Sequence, residues 1–114
     1  MDLVNLAKET QGLIQGSHDT RLQIYEQGKR LAHLQKLDAI AIARFNSVIA
    51  MDKALTNADK RKAALTELKA SDDAYLAIEA ETETNRNETE LLRIELQFKS
   101  DMIKLNLALI TAQP

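Results

Sequence analysis

Cysteine is missing from this sequence, which excludes disulfides, thiolate metal sites and cysteine nucleophiles together. Tryptophan is missing too, and aromatic residues make up only 4%. An all-β domain would draw on Tyr, Phe, Trp and β-branched residues to fill its pleated faces, so a sheet protein is not expected. Proline occurs once, at position 114, and glycine three times. Because both disfavour helix interiors, by roughly 1 to 3 kcal/mol each, their scarcity leaves helix permitted nearly everywhere. No stretch approaches the ~18 uncharged residues that a membrane span needs. The opening Met1-Asp2-Leu3-Val4-Asn5 also lacks a basic segment followed by an apolar one. The expectation is a soluble, cytoplasmic protein. A net charge of −2 gives no global field for a polyanion, so any nucleic-acid binding would need a local patch.

What is present is helical periodicity. Its 114 residues suit one small domain, 1–114, with no linker and no internal repeat. Asp2 can cap a short first helix, about 3–15, in which Leu3, Leu6, Ala7, Leu13 and Ile14 recur at helical spacing. Gly16-Ser17-His18-Asp19 joins a helix-ending residue to two N-cap candidates and predicts a break there. A long helix follows, about 19–54. In it Ile24, Gly28, Leu31, Leu34, Leu37, Ala41, Phe45, Val48 and Met51 step by three or four as an apolar seam must.

Thr56-Asn57-Ala58-Asp59 offers cap residues with an acid in the following turn, which would fold the chain back. The second half, about 58–112, opens with a segment thin in large apolar residues, relying on Leu65, Leu68, Tyr75 and Ile78. Asn85 to Glu88 matches a capping box, so a second turn has its place near residues 84–88. The last segment carries two interleaved stripes. One is Leu91, Ile94, Phe98, Met102, Leu105 and Leu109; the other is Leu92, Leu96, Ile103, Leu107 and Ile110. A helix apolar on two faces must bury both, inside a bundle or at a subunit interface.

The residues that could carry chemistry are sparse. His18 and His33 have no His-x-x-x-His or Glu-x-x-His partner, and a structural or solvated role is expected for both. Glu79, Glu81, Glu83, Glu88, Glu90 and Glu95 could hold a divalent cation only by converging, and helical spacing scatters them. Lys60-Arg61-Lys62, with Lys53 and Lys69 nearby, is the strongest basic cluster, but Asp59 and Glu67 interleave with it as helix neighbours. Gly-rich phosphate loops, nucleophile elbows and HExxH helices are all missing.

The pattern therefore predicts an all-α fold: long amphipathic helices in a helical hairpin or three-helix, coiled-coil-like bundle, completed by oligomerisation. The expected role is non-enzymatic, as an adaptor, scaffold or assembly component without a cofactor or a metal. The expected partner is a second copy of the chain, or another helical protein. Packing or oligomer contacts fall to Ile24, Leu31, Leu34, Phe45 and Val48, expected to pack on Leu91, Ile94, Phe98, Met102, Leu105 and Leu109. On this reading Phe98→Asp or Leu105→Asp would dissociate or unfold the protein. The alternative is a small nucleic-acid-binding regulator using Lys53, Lys60, Arg61 and Lys62. A carboxylate-bridged metal bundle is a further alternative with little support in the spacing.

Overall fold

A computed structural model describes residues 2–113, so Met1 and Pro114 of the expected domain lie outside the described residues. The architecture is all-α, with three helices in chain order: α1 Leu3–Met51, α2 Ala58–Ser71 and α3 Asp73–Thr111. No strand occurs among the described residues.

Each helix opens on a short polar side chain that accepts from backbone N–H groups left without an intrahelical partner. Asp2 Oδ1 accepts from the amides of Val4 and Asn5 at 3.0 and 3.2 Å. Asn57 Oδ1 accepts from the Lys60 amide at 2.8 Å, and Asp59 lies in the first turn of α2. Asp72 Oδ1 accepts from the Tyr75 amide at 2.8 Å. The first two caps are those the sequence predicts. Asp72 is not: the expected second half has no turn before 84–88, whereas Asp72 leaves helical geometry at φ −96° and ψ 108°, ending α2 and starting α3.

Two predicted breaks do not form. α1 runs straight through Gly16-Ser17-His18-Asp19, and α3 runs straight through residues 84–88. In the first, no glycine takes a positive φ. The Thr20 hydroxyl bonds to the Gly16 carbonyl of its own helix at 2.9 Å. At both places helix packing overrides weak local preferences, as it commonly does for long helices. α1 ends at Met51, before the expected 54, because Asp52 makes a turn by accepting from the Ala54 amide at 2.9 Å.

The chain divides into two compact units. The central unit is Lys29–Arg86. In it α1 packs antiparallel on the start of α3, with Arg30 ion-paired to Glu81 and the Phe45 ring edge-on to Tyr75 at 5.6 Å. Leu34, Phe45, Ile49 and Tyr75 are buried. The α2 helix buries no residue fully, and its Ala64 and Leu68 line a groove of about 220 Å³ with Val48, Ile49 and Leu55.

The terminal unit joins the described residues up to Gly28 with those from Asn87 onward. Here too α1 and α3 are antiparallel: Lys99 meets Gly16 and Thr20, and Gln27 donates to Glu88 at 3.0 Å. The fully buried side chains are Thr10, Ser17, Thr20 and Asn106. Partly buried Leu6, Leu13 and Ile24 of α1 and Leu92, Leu96, Ile103 and Ile110 of α3 fill the steps between them. The register departs from the expectation that Ile24–Met51 packs on Leu91–Ile110. Leu91–Ile110 lies in the terminal unit with the first part of α1, while α1 beyond Gly28 packs with the start of α3.

Candidate association surface

The seam of the terminal unit sets which face of α3 points outward. Its two buried threonine hydroxyls are satisfied within α1: Thr10 donates to the Leu6 carbonyl at 2.8 Å, as Thr20 does to Gly16. Lys99 enters the seam from α3 with a side chain one-fifth exposed, donating to Thr20 Oγ1 at 3.0 Å, Glu95 Oε1 at 2.9 Å and the Gly16 carbonyl at 3.3 Å. Gly16 makes room for it, since a Cβ there would stand 3.3 Å from the Lys99 Nζ. Two buried groups, Ser17 Oγ and Asn106 Nδ2, have no hydrogen-bond partner.

With Leu92, Leu96, Lys99, Ile103 and Asn106 turned to α1, the other apolar stripe of α3 faces away. Leu91 is 67% exposed, Phe98 62%, Ile94 58% and Leu105 53%, with Met102 and Leu109 half-buried at its border. The eleven residues expected to make packing or oligomer contacts therefore separate. Leu34 and Phe45 are buried, Ile24 and Leu31 are half-buried, and Val48 is exposed like the four on α3. Gly28 and Met51, also placed on the seam by periodicity, are exposed, while Ile49 is buried in their stead. Spacing alone does not separate Val48 from Ile49, which are neighbours on the border of the same stripe.

The other candidates lie apart from any enclosed site. Lys53, Lys60, Arg61 and Lys62 are exposed, and Arg61 Nε donates to the Leu55 carbonyl at 3.3 Å, tying it to the turn before α2. His18 and His33 are exposed on α1. Among the described residues no group of three or more His, Asp or Glu side chains is placed to hold a metal ion.

The buried ionisable group is Tyr75. Burial, reinforced by the carboxylates of Asp38 and Glu79, pushes its phenol up to about 12. Lys69 Nζ lies 5.8 Å from the centre of the ring. The sequence marked Tyr75 as an apolar helix residue; Glu79, four residues on, was within view, but Asp38 was not, since it comes from α1.

No helix among the described residues is long and apolar enough to cross a membrane. Comparison with protein-family models, curated proteins and solved structures finds no match.

Proposed function

We infer that this chain is a non-enzymatic helical interaction protein of the cytoplasm, an adaptor, scaffold or assembly component that works by associating through the outer face of α3. Its coiled-coil-like helices take a second copy of the chain as first partner, and another helical protein as the alternative. One observation carries the reading: Leu91, Ile94, Phe98 and Leu105 form an exposed stripe along a helix whose opposite seam is already engaged. Contiguous apolar surface of this kind marks association sites on proteins in water.

Light scattering on a sizing column, over a wide concentration range and with nucleic acid removed, tests it. The parent chain is expected to run as an oligomer of its 12.8 kDa protomer. Phe98→Asp is expected to lower the mass toward one protomer with helicity retained, because Phe98 is exposed in the single chain and the new charge would be solvated there. A monomer at every concentration would overturn self-association. Salt-sensitive duplex binding that disappears on neutralising Lys60, Arg61 and Lys62 would favour the nucleic-acid alternative instead.

A further inference from the structure

The exposed stripe of α3 has an internal symmetry that its polar border shares. Leu91, Ile94, Phe98, Met102 and Leu105 step by three, four, four and three residues, so they are arranged evenly about Phe98. One residue behind each stands a polar side chain: Glu90, Arg93, Gln97, Asp101 and Lys104, evenly arranged about Gln97. All five polar residues are exposed. Their charges are inverted across the centre. Glu90 is as far before Gln97 as Lys104 is after it, and Arg93 is as far before as Asp101 is after.

We propose that the outer face of α3 binds α3 of a second copy, antiparallel, about a two-fold axis beside Phe98. This rests on the reading of that face as an association surface and adds its occupant and geometry. A two-fold interface presents the same patch twice, so each residue i that meets j must have a j that meets i. The antiparallel pairing meets that condition throughout. Leu91 packs against the second copy's Leu105, Ile94 against its Met102, and Phe98 against its own equivalent. Along the border Glu90 meets Lys104 and Arg93 meets Asp101, each pair formed twice.

The acid and base of a pair are offset by two residues from each other, one on either side of the apolar layer. That is about 3 Å along a helix, within the reach of Lys and Arg side chains. A parallel two-fold pairing would put the polar borders of the two copies on opposite flanks of the interface, where Glu90 meets no Lys104 and Arg93 no Asp101. Charge thus selects the antiparallel arrangement, while the apolar stripe supplies the association.

Charge exchange tests the pairing in the full chain. Glu90→Lys sets like charges across the interface and is expected to weaken the dimer about tenfold at low salt. Glu90→Lys combined with Lys104→Glu restores opposite charges and is expected to return it to the parent affinity. Because the chain has no cysteine, single sites can carry nitroxide labels. Labels on Gln97→Cys are expected close together across the axis. Labels on Ala108→Cys, ten residues from Phe98, are expected about 30 Å further apart along the helices. A dimer in which the double variant is as weak as the single one, or in which the two label pairs are equally spaced, overturns the antiparallel two-fold and leaves the association surface standing. A monomeric parent chain overturns both.

Discussion

The central unit buries Leu34, Phe45, Ile49 and Tyr75, with Asn85 as its one fully buried amide. The terminal unit, built from the same two helices, fully buries Thr10, Ser17, Thr20 and Asn106, and leaves Ile14, Leu22, Leu91, Ile94, Phe98 and Leu105 exposed. Both regions pack α1 on α3 antiparallel, so the helices alone do not explain the contrast. The difference lies in what stands at the seam. Apolar burial contributes about 25 cal/mol per Å², whereas a hydroxyl bonded to its own helix adds little to holding two helices together. The central unit is therefore expected to contribute more to the stability of the fold than the terminal one.

The largest effect expected from breaking this contrast is at Phe45. Phe45→Ala removes a buried ring in edge-on contact with Tyr75 and is expected to cost about 3–5 kcal/mol, read from urea unfolding. Thr10→Ala, equally buried in the terminal unit, is expected to cost about 1 kcal/mol or less. Equal losses at the two sites would contradict the division of labour.

The next effect is one of pH. The Tyr75 phenol ionises at about 12 in the folded chain against about 10 in an unfolded one, so folding favours its neutral form. That contribution, of order 2–3 kcal/mol, is complete below pH 10 and is lost as pH rises from 10 through 12. Absorbance titration should show a phenol ionising near 12 that disappears in Tyr75→Phe. Ionisation of both tyrosines near 10 would remove the Asp38 and Glu79 contacts from the account.

The smallest effect sharpens the comparison by its sign. Ser17→Ala takes an unpartnered hydroxyl out of the terminal seam and improves helix propensity, and is expected to stabilise by about 1 kcal/mol. A thermal melt showing destabilisation would mean that Ser17 has a partner after all.

The helical architecture was legible because few residues oppose it, and the caps at Asp2 and Asn57 were legible because each precedes an amphipathic run. The seam of the terminal unit was not. Hydrophobic periodicity looks for Leu and Ile, and Thr10, Ser17, Thr20 and Asn106 occupy inward positions without resembling a core. For the same reason periodicity assigned the Leu91–Leu109 stripe of α3 to the contact with α1, whereas Leu91, Ile94, Phe98 and Leu105 are exposed and Leu92, Leu96, Ile103 and Ile110 are the half-buried ones. Gly16 looked like punctuation, yet its missing Cβ is what admits the Lys99 side chain between the helices. Asp72 went unread because a joint between two helices normally announces itself with Gly or Pro, and here a single carboxylate makes it. That α3 carries two apolar faces was visible in the sequence; which of them stays exposed was not.

The threonines of the terminal seam have one more consequence. Thr10 and Thr20 each donate to a carbonyl on α1 itself, so these bonds travel with α1 when it moves. Parting the two helices there gives up apolar contact and the bonds of Lys99 to Gly16 and Thr20, but orphans neither threonine hydroxyl. A seam whose threonines carry their partners on α1 can part with both of those hydroxyls still bonded. Opening of the terminal seam is thus expected to cost less than global unfolding, a difference that amide exchange along α1 and α3 would read.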